Sequence, residues 1–189
     1  VKGRWSGVSV AEPPPPPAPT AGIPEGMIDR HTQQLAQLGQ RRASFHVALK
    51  FRAAGDEHSA RHWMRKSADD GEEYAQYWLG AQMLAPGAEH DPKLAVQYLA
   101  KAAEAGFVQA ITLLGNCYRN GIGAPRDPAR AVELFRQAAD FGDPAAWRYL
   151  AGCYRRGEGV AMDAKEADRL DAIALRREKS VEEPAAVPG

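Results

Sequence analysis

The stretch "LLGNCYRNGIGAPRD", Leu113 to Asp127, returns as "YLAGCYRRGEGVAMD", Tyr149 to Asp163. A step of 36 residues relates Leu114 to Leu150, Cys117 to Cys153, Tyr118 to Tyr154, Gly121 to Gly157, Gly123 to Gly159, Asp127 to Asp163 and Ala131 to Ala167. The same step backwards takes Asp127 to Asp91, Ala131 to Ala95, Ala138 to Ala102, Ala139 to Ala103 and Gly142 to Gly106. A further step of 35 reaches Asp56, Ala60, Ala68 and Gly71. A unit this short cannot bury its own apolar face, so repetition at this period constrains the chain to a stacked-repeat architecture.

Each unit reads as two helices. In "QAITLLGNCYRNG", Ala110, Leu113, Leu114, Cys117 and Tyr118 recur at i, i+3, i+4, i+7 and i+8, one apolar face of a helix. Gly115 is a poor helix former, and its counterparts Gly80 and Ala151 are also small. Small residues there let a neighbouring helix approach closely. The loop "RNGIGAPRD" holds two glycines and a proline and must break the helix. Asp127 then stands where an N-cap belongs, with Pro128 at the first helical position, and Asp91–Pro92 repeats the arrangement. The second helix places Ala131, Leu134, Phe135, Ala138 and Ala139 on one face, and Gly142 and Gly106 end such helices as left-handed caps.

The order A-x-x-x-L-G-x-x-Y-x-x-G-x-G, a short loop with Asp, then A-x-x-x-(aromatic)-x-x-A-A-x-x-G resembles the Sel1-like repeat family, relatives of the tetratricopeptide repeats. Ala110, Leu114, Gly115, Tyr118, Gly121, Gly123, Asp127, Ala131, Phe135, Ala138, Ala139 and Gly142 carry the resemblance. It spans roughly residues 40–179. It is fullest in the unit starting near Gln109, good in the one near Glu73, where Met83 replaces Tyr, and partial at both ends. The resemblance implies an all-α, right-handed α-solenoid of antiparallel helix pairs, with the first helix of each pair lining a concave surface.

Composition divides the chain into three parts. Residues 1–26 include "AEPPPPPAPTAGIPEG", expected to be an extended spacer of polyproline type or a disordered terminus. Residues 27–179 form the repeat array. A capping helix is expected over 28–40, and a first repeat helix over 42–54 that runs through "AAGDEHSA" into its partner. Residues 180–189 read as a flexible tail. The final helix, about 164–179, closes the array. Asp171 stands where Met64, Leu99 and Phe135 stand in earlier units, and a carboxylate there suits a polar outer face. The chain opens at Val1 rather than Met, as a processed form or a fragment would.

Lys and Arg total 24, as do Asp and Glu, so no overall charge directs the chain to nucleic acid. No apolar run of spanning length occurs. His58 and His62 at i, i+4, beside Glu57, have metal-binding spacing, but their counterparts are ordinary polar positions, and a third ligand would have to come from His31 or His46. Cys117 and Cys153 occupy equivalent positions in neighbouring units. Helices packed about 8–10 Å apart do not suit a disulfide, so buried thiols are expected. "GIGAPR" and "GEGVAM" lack the strand and the Lys-Ser/Thr of a phosphate loop. Trp63, Tyr98 and Leu134 are equivalent positions and read as packing residues. No cofactor and no catalytic set is expected.

The face of the first helices opposite the core holds Tyr74, Tyr77 and Ala81, then Gln109, Thr112, Asn116 and Asn120, then Arg148, Gly152, Arg155 and Arg156, with Arg119 at its margin. Tyr77, Asn116, Arg119, Arg148, Arg155 and Arg156 are the candidate contacts for another protein or an acidic, extended peptide. The family resemblance implies a scaffold or adaptor, in bacteria often exported, and the proline spacer fits a periplasmic or membrane-tethered placement. A dedicated inhibitor of a secreted toxin and a small-molecule or metal-dependent hydrolase are the competing readings.

Overall fold

The structure, a computed structural model, describes residues 41–87 and 90–182. The proline-rich segment, the helix expected over 28–40 and residues 183–189 lie outside the described residues. Among the described residues there are eight α-helices and no strand: α1 Arg41–Ala53, α2 Glu57–Asp69, α3 Glu73–Leu84, α4 Pro92–Glu104, α5 Val108–Asn120, α6 Pro128–Asp140, α7 Pro144–Arg156 and α8 Ala164–Glu182. The last helix runs three residues past its expected end. The described residues fall into two compact units, divided between His90 and Asp91.

In the first unit α2 packs on α1 and on α3. Asp56 caps α2 by accepting a hydrogen bond from the Ser59 N–H at 3.0 Å. Phe45, Val47 and Ala48 of α1 are buried, as are Ala60, Met64 and Ala68 of α2. Phe45 meets Tyr74 of α3 edge-on, with centroids 5.4 Å apart. Buried Ser44 donates to Asp70, and buried Gln76 donates to the Ala68 carbonyl, so these polar groups are satisfied across helices.

The second unit stacks α4 to α8, each packed on the next. Asp91 and Asp127 cap α4 and α6 through the Leu94 and Arg130 N–H groups, each with proline in the first turn. The sequence reading of these helix starts holds, because a cap depends only on residues three apart. Gly121 and Gly157 end α5 and α7 in the left-handed conformation, at φ 70° and 65°.

Two close approaches join successive repeats. Phe135, fully buried on α6, lies against Gly115 of α5. A Cβ on Gly115 would come within 2.7 Å of its ring. The same ring stacks on Tyr149 of α7, with centroids 5.2 Å apart and an interplanar angle of 19°. One side chain thus ties three helices. The second glycine of each loop does comparable work. A Cβ on Gly123 would strike the Pro92 carbonyl at the start of α4, and one on Gly159 would strike the Pro128 carbonyl at the start of α6. Each loop therefore seats on the previous repeat.

On α8, Ala167, Leu170 and Ala174 are buried against the rest of the unit. Asp171 is half-buried and accepts a hydrogen bond from Arg155 at 2.7 Å. At the position where Phe135 reaches the next repeat, the last helix carries a partly exposed, ion-paired carboxylate.

Candidate protein-binding face

The sequence-predicted contacts fall into two groups. Tyr77 of α3 and Asn116 of α5 are buried, at 6% and 3% exposure. The Asn116 side chain accepts a hydrogen bond from Asn120, and Thr112, on the same face, donates to the carboxylate of Asp143. These residues order the helices rather than offer side chains to a ligand. The arginines are the accessible group: Arg148, Arg155 and Arg156 on α7 are 58%, 49% and 50% exposed. Arg156 folds over Gly152, where a Cβ would stand 3.1 Å from its Nη2.

Each of these arginines already meets a carboxylate. Arg148 pairs with Glu178 of α8, and Arg155 pairs with Asp168 at 3.2 Å and Asp171 at 2.7 Å. The hydrogen bond to Asp171, then the one to Asp168, raises the Arg155 pKa above its ordinary value. Arg156 lies 3.2 Å from Glu158 in the loop after α7. Arg119, at the end of α5, and Arg126, in the loop after it, lie 4.0 and 3.8 Å from the same Glu158. Arg119 also sits over the Tyr149 ring at 5.5 Å, Arg130 sits over the Tyr118 ring at 4.4 Å, and Arg136 donates to the Tyr154 hydroxyl.

Sequence reasoning missed Arg126, Glu158, Asp168 and Glu178, and read Asp171 as a polar end of the array rather than as a partner of Arg155. A signal existed for Glu158: it replaces Ile122 between the two loop glycines, the one charge in that equivalence. Asp168 and Asp171, three apart, were also readable as one acidic helix face.

His58 and His62 are both exposed, and the described residues contain no group of three or more potential metal ligands. Cys117 and Cys153 are free and buried. Burial pushes the Cys117 thiol up to about 12. Burial also raises the Cys153 thiol, against an opposing pull from the Arg119 guanidinium. Neither has the character of an activated nucleophile. Among the described residues no helix is long and apolar enough to cross a membrane.

The Sel1 repeat model matches residues 52–72, 73–107 and 108–143. No curated protein matches the chain in sequence. Among solved structures, the chain is similar to a protective antigen of uropathogenic Escherichia coli displaying an SLR fold, at 29% identity and a TM-score of 0.68 over 78% of this chain. It is similar to a Sel1 repeat protein from Oxalobacter formigenes, at 28% identity and a TM-score of 0.70 over 77% of this chain. It spans 32% of the first of these chains and 62% of the second. MamA, at 18% identity and a TM-score of 0.54, shares the fold alone. The helix pair α7–α8 lies beyond the matched residues, yet Gly157 and Gly159 repeat the backbone conformation of Gly121 and Gly123. The chain carries three Sel1 repeats and is, over its repeat region, an all-helical solenoid protein of the Sel1-like type.

Proposed function

We propose that this chain is a non-catalytic interaction module that holds an acidic, extended segment of a partner protein on its first-helix face, with Arg148, Arg155, Arg156 and Arg119 as the charged contacts. One observation carries the reading: α7 presents three half-exposed arginines along one helix, each paired with carboxylates of its own unit and open to solvent beside them. Pairs this exposed are screened by solvent and contribute little to stability. A partner's carboxylates can take the place of Glu178, Asp168 and Asp171 at little cost, while Arg supplies directional donors that fix the partner's register. Buried Asn116 serves this face by ordering α5, the helix that carries Arg119.

Sel1 repeats generally mediate protein–protein contacts, which supports a scaffold or adaptor role. The proline-rich segment and the likeness to a bacterial protective antigen support an envelope-facing placement.

The test is capture of partners from the native source by wild-type chain, by Arg148→Glu/Arg155→Glu, and by Asp168→Asn/Asp171→Asn/Glu178→Gln. A partner lost in the first variant and enriched by the second supports the reading. Equal capture by all three, with unchanged helicity by circular dichroism, moves the contact elsewhere.

A further inference from the structure

We infer that Arg119, Arg126 and Arg156 form a docking point for a single carboxylate of the partner segment, with Glu158 as a built-in competitor for that point. The inference rests on the reading above that the ligand is a protein, and it joins Arg119 and Arg156 of that face to Arg126 and Glu158, which that reading does not use.

Three guanidiniums arrive from three places: the end of α5, the loop after it, and the end of α7. Among the described residues one acid lies within ion-pairing distance of them, Glu158. Three positive charges against one leave two uncompensated. The other ion-paired arginines among the described residues share no acid: Arg148 has Glu178, Arg169 has Glu166, and Arg155 has two aspartates. The surplus is local in a chain whose net charge is zero.

The pairing with Glu158 is also loose. Its Oε2 is buried yet takes no hydrogen bond of good geometry, even though Arg156 Nε stands 3.2 Å away. Charge, not a bidentate fit, holds the group together. A guanidinium carries five N–H donors, and Arg126 commits its Nε to the Arg119 carbonyl at 3.0 Å. Arg119 is engaged by the Cys153 thiol and the Tyr149 ring, which leaves the outer edges of Arg126 and Arg156 as the donors facing solvent.

The cluster is ordered in advance. Arg119 is 17% exposed and lies over the Tyr149 ring. Arg126 is tied to the Arg119 backbone. Arg126 and Arg156 are each at least half exposed, so the donor edges open to solvent. Fixed donors of this kind, with most of their ordering cost already met by the fold, favour a planar carboxylate that accepts two hydrogen bonds at once.

The experiment measures fluorescence anisotropy of a labelled hexaglutamate peptide against the full chain at low salt. Arg126→Gln/Arg156→Gln is expected to weaken binding by about tenfold. Glu158→Gln is expected to tighten it severalfold, because it removes the internal competitor. Arg126→Gln alone, at an exposed side chain, serves as the second variant and is expected to weaken binding with the thermal melt unchanged. A Glu158→Gln variant that is folded and binds no more tightly than wild type overturns the inference, as does displacement of the peptide by millimolar inorganic phosphate. The two readings fail separately. Loss only in Arg148→Gln/Arg155→Gln keeps the α7 face and removes this point. Loss only in the Arg126 and Arg156 variants keeps this point and removes Arg148 and Arg155 from the contact.

Discussion

Gly123, in the loop after α5, lies so close to the carbonyl of Pro92, at the start of α4, that any Cβ on the glycine would collide with it. Gly159 stands in the same relation to Pro128. The second glycine of the loop is thus an inter-repeat contact as well as a turn residue.

Replacing Gly123 or Gly159 by Ala should therefore cost more than left-handed strain alone, which is about 1–2 kcal/mol. Gly106 is the control. It has φ +86°, but a Cβ added there would meet nothing within 4 Å, so Gly106→Ala should cost only the strain. Urea denaturation of the three variants separates the two contributions. Equal losses at all three sites would remove the proposed seating of loop on helix.

Phe135→Ala should destabilise by about 3–5 kcal/mol, since it empties a fully buried site shared by three helices. Gly115→Ala should cost about 1–3 kcal/mol by overpacking against the same ring. Combining Gly115→Ala with Phe135→Leu should cost less than the sum of the two single changes, because the smaller side chain leaves room for the added methyl. A strictly additive pair in chemical denaturation would contradict the direct contact.

Asp171→Phe restores the interior-repeat residue at the end of the array, beside exposed Leu175. Self-association at micromolar concentration is the expected outcome, measured by sedimentation velocity against wild type. A variant that sediments like wild type would show that Asp171 does not keep this end from stacking.

Burial pushes the Cys117 thiol up to about 12, and burial raises Cys153 as well. Both should resist a thiol reagent at neutral pH in the native state and react fully in denaturant. Rapid native labelling of either would place it outside the core.

The Ser59 backbone N–H, hydrogen-bonded to Asp56, holds that carboxyl below the usual aspartate value. A depressed folded-state pKa contributes stability that is fully present above the unfolded-state value and is lost as pH falls through the folded one. The stability gap between wild type and Asp56→Ala should therefore narrow as the solution is acidified below the ordinary aspartate range. A gap that stays constant through that window, followed by thermal melts, would assign the cap no charged component.

Helix starts were readable because their causes are local. Asp91–Pro92 and Asp127–Pro128 cap whatever helix follows them. The small residue at Gly115 announced a close helix contact, and Phe135 fills it. Tyr77 and Asn116 were harder to read. A single helix's periodicity gives its strongest apolar face, but neighbours on its other sides also bury residues. Tyr77 and Asn116 sit at such positions.

The sequence by itself determined the repeat, the two helices of each unit, their caps and the polar character of the last helix. Each of these follows from side chains a few residues apart or from one spacing repeated along the chain. Only the tertiary structure decided which charges are spent and which are spare. Arg148 and Glu178 are 30 residues apart and meet because α8 packs on α7. Arg119, Arg126 and Arg156 share one carboxylate because a loop of the last repeat lies over the end of the one before. Coulomb interactions depend on distance through space, and that distance is set by packing rather than by chain order.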